Sequence, residues 1–157
     1  HYRLLKLACY NKFKMTHLIE VFLLSMVPIF ELRGAIPLGI VQYNLPIWQV
    51  FFVSILGNTL VPFCVLFALE KSPFIRKISK SLCENVKKKH SRKFEIYRNM
   101  ALITLVALPF PLTGAWTASL CAFIFNIPKL LACGLIFIGL LIAGVIVTLL
   151  TLGIINI

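Results

Sequence analysis

Four long apolar stretches, separated by short polar segments, organise the chain. The first covers residues 18–41 and is interrupted by charges at 31 and 33, while the second (47–69), third (99–127) and fourth (130–157) contain no charged residue. A helix needs about 20 apolar residues to cross a bilayer. The second and fourth stretches therefore predict membrane-spanning helices.

The first and third stretches are each broken near the middle. The breaks read PIFELRGAIP at residues 28–37 and PFPLTGAW at residues 109–116. The arms on either side of a break have about 10 to 13 residues, enough for roughly half a bilayer at a rise of 1.5 Å per residue. Each stretch is either one kinked spanning helix or a hairpin that enters the membrane and leaves on the same side.

Turn-forming residues in the breaks favour the re-entrant hairpin. Proline removes a backbone donor, and Gly114 permits a left-handed or tight turn. Irregular backbone is tolerated at membrane depth where protein or a water-filled cavity covers it. The predicted turn residues are Pro28, Pro37, Pro109 and Pro111.

The two halves of the chain resemble each other. LRGAI at residues 32–36 aligns with LTGAW at 112–116 at an offset of 80, and the Asn-x-Pro triplets at 44–46 and 126–128 align at an offset of 82. Each triplet precedes a long uncharged helix, where Asn suits the N-cap region and Pro the first turn. These features predict an internal repeat, the sequence signature of transporters built from inverted halves.

Charge is concentrated between the halves. The formal net charge is +11, and residues 71–98 hold ten of the sixteen basic residues. Because this stretch adjoins membrane segments, it predicts a cytoplasmic connection with an interfacial amphipathic helix, not a nucleic-acid surface. The residues predicted to contact lipid headgroups are Arg76, Lys77, Lys80, Lys87, Lys88 and Lys89.

Domain bounds and topology follow from this pattern. The basic segment 1–14 is interpreted as sequence upstream of a start at Met15, and residues 15–157 form a single membrane domain. Within it we expect a first repeat at 15–70, the connection at 71–98 and a second repeat at 99–157. If both hairpins re-enter, each half crosses the cell membrane once, so that the halves are inverted and both termini lie outside.

Glu31 and Arg33 are the sharpest chemical feature. Each ionised group costs about 2.5–3.5 kcal/mol to insert at the bilayer centre, so such groups usually mark a site or pair with each other. Arg33 can fork two donors onto a phosphate or carboxylate, and a carboxylate taken out of water binds a proton more readily. The alternative is a structural ion pair that only fixes the turn. The predicted substrate or proton site, where two hairpin tips meet near the midplane, comprises Glu31, Arg33, Gly34, Thr113, Gly114 and Trp116.

The motif FELRGAIP followed by an Asn-x-Pro helix, with a later PxPxTGAW, resembles the small multidrug export protein family of bacteria and archaea. The resemblance covers roughly residues 16–155 and implies kinship with DedA-like (VTT) membrane proteins, which include polyprenyl-phosphate and phospholipid translocases. It places Glu31, Arg33, Gly34 and Pro37 in the first re-entrant hairpin. The second would hold Pro109, Pro111, Thr113, Gly114 and Trp116.

The sequence thus predicts an all-α integral membrane protein with two inverted repeats, each a re-entrant hairpin followed by a transmembrane helix. The favoured function is secondary transport or export of small or amphiphilic compounds, with proton coupling through Glu31. The alternatives are a flippase for anionic lipid phosphates, with Arg33 as the headgroup clamp, and a non-transporting membrane scaffold. We expect no enzymatic activity, cofactor or metal. Expected partners are membrane lipids, the substrate and further copies of the chain.

Overall fold

The described part of the chain consists of helices joined by short turns and contains no strand. The computed structural model describes residues 2–71, 92–108 and 114–155. These residues form α1 (Tyr2–Met26), α2 (Glu31–Pro37), a π-helical turn (Leu38–Gln42), α3 (Ile47–Lys71), α4 (Arg92–Ala107), α5 (Ala115–Ile124) and α6 (Lys129–Ile155). The predicted all-α class is confirmed for this part of the chain.

Two of these helices are long and apolar enough to cross a membrane. Ile47–Leu69 has 23 residues with a mean hydropathy of 2.2, and Lys129–Ile155 has 27 residues with a mean hydropathy of 3.0. They coincide with the second and fourth apolar stretches. Both carry large apolar side chains on their exposed faces, for example Leu56 at 61% and Leu149 at 64% exposure. Exposed apolar surface of this kind marks an interaction site, and a lipid bilayer suits helices of this length.

The chain forms two compact units. The first contains residues 1–57 and 144–157, and the second contains residues 58–143. Both α3 and α6 run from one unit into the other.

In the first unit, α1 and α2 form a helical hairpin. The chain turns at residues 27–30, and the Glu31 N–H closes the turn by donating to the Val27 carbonyl at 2.8 Å. α1 packs against both α2 and the π-helical turn. The His17 ring stacks on the Tyr43 ring with centroids 4.1 Å apart. This stack joins the beginning and the end of the hairpin, and we call the pair the first hairpin base.

The second unit contains a matching pair of helices. α4 packs against α5, and Arg98 Nη1 donates to the Phe125 carbonyl at 3.2 Å. Arg98 and Phe125 lie 81 and 82 positions after His17 and Tyr43. We call this pair the second hairpin base. It joins the two helices at the positions that correspond to the first base.

Each long helix approaches its hairpin through a buried glycine. A Cβ added at Gly57 would lie 2.7 Å from the Phe22 carbonyl oxygen on α1. A Cβ added at Gly139 would lie 2.6 Å from Val106 Cβ and 3.1 Å from the Ile103 carbonyl oxygen on α4. Gly57 and Gly139 are 82 positions apart. Small residues allow membrane helices to approach closely, and here they make the same contact in both units.

The Asn-x-Pro triplets end one helix and start the next. Asn44 and Asn126 are not N-caps as predicted, because both adopt left-handed backbone, with φ of 48° and 52°. Ile127 N–H donates to the Ala122 carbonyl at 2.9 Å across Asn126, which is the Schellman pattern of a helix C-terminus. The carbonyls of Pro46 and Pro128 accept the first hydrogen bonds of α3 and α6. Asn tolerates the left-handed region better than most residues.

Other predicted turn residues lie at different places. Pro28 is in the turn, but Pro37 lies inside α2, next to the π-helical turn. Gly34 is helical, and Gly114 is extended with φ −168° and ψ −161°, so neither supplies a left-handed turn. Several predicted residues lie outside the described ranges: Pro109, Pro111, Thr113, and the basic residues Arg76, Lys77, Lys80, Lys87, Lys88 and Lys89 with their predicted amphipathic helix.

Candidate functional site

The tip of the first hairpin holds a buried charge pair. Glu31 is the first residue of α2 and is 8% exposed, while Arg33 is half-buried two residues later. The two side chains interact electrostatically. Leu32, Ala35 and Ile36 form the buried face of the same helix. The spacing of these apolar residues is that of one helical face, and it anchors α2 so that the charges are held at its start.

Glu31 adopts an unusual backbone conformation. Its φ is 44°, in the left-handed region that a side chain with a Cβ rarely occupies. Gly34, in contrast, stays helical, and a Cβ there would lie 2.8 Å from Cδ1 of Phe30. The glycine therefore makes room for the Phe30 ring next to the tip. Strained residues cluster at functional sites, so this conformation makes Glu31 a stronger candidate.

The described part of the second hairpin tip consists of a helix start capped by a side chain and an exposed aromatic residue. Gly114 is the N-cap of α5, and its N–H donates to Thr117 Oγ1 at 2.9 Å. The Thr117 hydroxyl donates back to the Gly114 carbonyl at 3.1 Å. Trp116 is 36% exposed. Thr117, which sequence reasoning missed, caps the helix from its third position, the place where a capping side chain is expected.

The predicted site residues thus fall into two groups. Glu31, Arg33 and Gly34 lie together on α2 in the first unit, and Gly114 and Trp116 lie together at the start of α5 in the second unit. Thr113 lies outside the described ranges.

A polar cluster surrounds the first hairpin base. His17 Nδ1 and Glu20 Oε2 are hydrogen-bonded at 3.0 Å, and Phe13 packs edge-on against the His17 ring. These hydrogen bonds, from His17 first and then from the Tyr43 hydroxyl, lower the pKa of Glu20 below its ordinary value of 4.5. The same bond to Glu20 raises the pKa of Tyr43. The cluster lies outside the two candidate spans and ties α1 to the end of the hairpin.

Two buried polar residues on α3 were not among the predicted site residues. Ser54 and Asn58 are both fully buried. Neither Ser54 Oγ nor the two amide atoms of Asn58 has a hydrogen-bond partner among the described residues. Residues four apart lie on one face of a helix. Their signal in the sequence is a pair of polar residues at this spacing inside an uncharged run.

The described residues contain no group of three or more His, Cys, Asp or Glu side chains that is arranged to hold a metal ion.

A comparison with protein families places the chain. The family model described as "Putative small multi-drug export protein" matches residues 31–146, well over half of the sequence. The chain belongs to this family. The matched region begins at Glu31 and ends within α6, so it includes Glu31 and Arg33, the start of α5 and all of α3. No curated protein and no solved structure matches the chain.

Proposed function

We propose that this membrane protein exports small amphiphilic compounds and that Glu31 and Arg33 form its substrate and proton site. The observation that carries the proposal is the burial of Glu31 beside Arg33 at a hairpin tip. Ionisable groups that are kept inside a membrane protein face partners or a water-filled pathway and usually serve transport. The family description supports the transporter class.

The two charged residues have different roles in this proposal. Arg33 keeps its charge and presents a planar fork of donors, so it holds an anionic or polar group of the substrate. Glu31 exchanges its proton: the ionised carboxylate pairs with Arg33, and protonation releases Arg33 for the substrate. We assign Gly114 and Trp116 to a second half-site, in which the ring contacts the apolar part of the substrate.

The proposed architecture is two inverted repeats with re-entrant hairpins. Four features support the repeat: the hairpin bases, the left-handed Asn residues, the proline starts of α3 and α6, and the close-approach glycines recur at offsets of 81 or 82. Each hairpin enters and leaves on one side, so each half crosses the membrane once. The basic connection then lies in the cytoplasm.

Transport measurements on the full chain in vesicles test the site. We expect Glu31→Gln to remove the pH dependence of the flux of an amphiphilic drug that carries an anionic or polar group, and to lower its rate about tenfold or more, because a hydrogen bond to a charged group contributes about 1.5–3 kcal/mol. Glu95→Gln, at an exposed position on α4, is the matched control and should leave flux unchanged. An unaltered pH profile in Glu31→Gln would end the proton-coupling proposal.

The same vesicles distinguish the other functions. Translocation of a labelled anionic lipid phosphate that is lost in both Arg33→Ala and Arg33→Lys would make the protein a flippase instead of a drug exporter. A complete lack of flux for drugs, lipids and protons in the unmodified protein would favour the scaffold.

A further inference from the structure

An apolar cavity lies beside the second hairpin base. It has a volume of about 340 Å³ and lies between α4 and α5, entirely within the second unit. It is lined by Tyr97, Arg98, Ala101, Leu102, Leu105, Cys121 and Phe125. Its volume falls at the lower end of the range for small-molecule sites, about 300–1,000 Å³. Among its lining residues only Arg98 carries a full positive charge, so the cavity has one cationic side chain among mainly apolar walls.

Arg98 has hydrogen-bonding capacity left for a ligand. Nη1 donates to the Phe125 carbonyl, which holds the guanidinium at the cavity. Nε is buried and has no hydrogen-bond partner among the described residues. A guanidinium offers five N–H donors, and burying one without an acceptor costs free energy. Arg98 lines the cavity, so its remaining guanidinium N–H groups can donate to an anionic oxygen bound there.

The corresponding place in the first hairpin has the opposite chemistry. Glu20 and Gly39 lie 81 and 82 positions before Ala101 and Cys121. At Gly39 there is no room for a side chain, because an added Cβ would lie 2.7 Å from Val50 and 3.1 Å from Val21. The first base is therefore packed and carries a carboxylate, while the second is open and carries a guanidinium. This difference indicates an anionic ligand at the second base.

We propose that the cavity binds one acyl chain of an anionic phospholipid, with the phosphate on Arg98. The apolar walls suit an alkyl chain, and a guanidinium forms forked, charge-assisted bonds with phosphate. The basic stretch that ends at Arg98 attracts anionic lipid to this end of the protein. A free phosphate would bind Arg98 but would make no favourable contact with the apolar walls. This site is separate from the proposed transport site at Glu31 and Arg33. The lipid-binding proposal therefore does not depend on whether the protein transports a substrate.

Cys121 provides a direct reporter, because it lines the cavity. The alkylation rate of Cys121 is measured in the full detergent-solubilised chain, with exposed Cys64 as the internal control. We expect short-chain phosphatidylglycerol to slow alkylation of Cys121 but not of Cys64. Phosphatidylcholine and inorganic phosphate should not protect. Arg98→Ala should weaken the phosphatidylglycerol effect about tenfold or more.

Further variants separate the site from general electrostatics and from misfolding. Lys129→Ala removes a cation that does not line the cavity and should keep full protection. Ala101→Phe fills the cavity while leaving Arg98 in place, and it should abolish protection. Met100→Phe places the same ring at an exposed position outside the cavity and should not abolish it. Equal protection by phosphatidylcholine, or protection that survives both Arg98→Ala and Ala101→Phe, would overturn the proposal.

Discussion

Glu31 combines a left-handed backbone with a buried side chain. Two substitutions can separate the effects of these features on the stability of the protein. Left-handed backbone costs a residue with a Cβ about 1–2 kcal/mol, whereas glycine adopts it freely. Both Glu31→Ala and Glu31→Gly remove the carboxylate and its interaction with Arg33. The difference between the two variants therefore reports the backbone alone.

We expect Glu31→Gly to be more stable than Glu31→Ala by about 1 kcal/mol, the reverse of the usual order in a helix. Chemical unfolding of the purified protein in detergent measures the difference. Gly134 is the control, because it is helical and a Cβ there meets nothing within 4 Å. There alanine should be the more stable residue. If alanine is also better at position 31, Glu31 does not hold left-handed backbone.

The cluster at the first hairpin base should respond to acid. The pKa of Glu20 is lowered in the folded protein, so its contribution to stability is present above the ordinary glutamate value of 4.5 and is lost as the pH falls through the lowered pKa. The hydrogen bond to Glu20 raises the pKa of Tyr43 above its ordinary value of 10.0. The stability that this bond contributes is therefore present below pH 10 and is lost as the pH rises through the raised pKa.

Thermal unfolding between pH 7 and pH 3 tests this prediction. Glu20→Gln should flatten the acid limb of the stability curve, while Glu95→Gln should leave it as steep as in the unmodified protein. An equally steep acid limb in Glu20→Gln would show that other carboxylates cause the acid sensitivity.

At the scale of the helices, the contacts of α3 and α6 with the hairpins depend on two glycines. A methyl group at Gly57 or Gly139 would meet backbone or Cβ atoms that cannot move aside without a helix shift. We expect Gly57→Ala and Gly139→Ala each to destabilise the fold by about 1–3 kcal/mol, the usual cost of overpacking.

Gly134→Ala and Gly153→Ala are matched controls on α6, because nothing lies within 4 Å of an added Cβ at either position. They should be neutral or should stabilise the helix by up to about 1 kcal/mol. Unfolding in detergent measures all four variants. Tolerance of alanine at both Gly57 and Gly139 would mean that the helices do not approach closely.

The sequence predicts the helices better than their ends. The uncharged runs locate α3 and α6 to within a few residues, because length and hydropathy are properties of a whole segment. The left-handed residue at the first tip is Glu31, and no left-handed residue was predicted there from the sequence. Asn44 was assigned to the start of a helix and closes the preceding one instead. Both positions depend on which carbonyl an N–H meets after the chain has turned, and residue type alone does not determine that.

The candidate site was predicted in part. A charge pair in an apolar stretch identifies Glu31 and Arg33 directly, because charges in such a setting are rare. Ser54 and Asn58 were not among the predicted site residues, because a polar side chain in a membrane helix usually hydrogen-bonds a neighbouring helix. Only the folded chain shows that the amide of Asn58 is fully buried and has no hydrogen-bond partner among the described residues.

At the scale of the whole molecule, the hairpins predict which positions face the same side of the membrane. The stack of His17 on Tyr43 places the two ends of the first hairpin side by side. Single cysteines at the exposed positions Thr16 and Gln42, in a chain without other cysteines, should therefore react with an impermeant thiol reagent from one side of the membrane.

A cysteine at exposed position 95 should react from the opposite side, together with the native Cys83 when that is restored. Labelling is compared in sealed vesicles before and after they are opened with detergent. Reaction of positions 16 and 42 from opposite sides would show that the first hairpin crosses the membrane, and the inverted-repeat proposal would fall.

The glycine contacts at positions 57 and 139 do not depend on the charge at the hairpin bases. Each contact is made partly by a main-chain carbonyl and partly by a side chain of the opposing helix, Ser25 on α1 or Val106 on α4. The same close approach occurs in one unit whose hairpin base carries the Glu20 carboxylate and in one whose base carries the Arg98 guanidinium. The charge at a hairpin base can therefore differ between the two units while the helix contact beneath it stays the same.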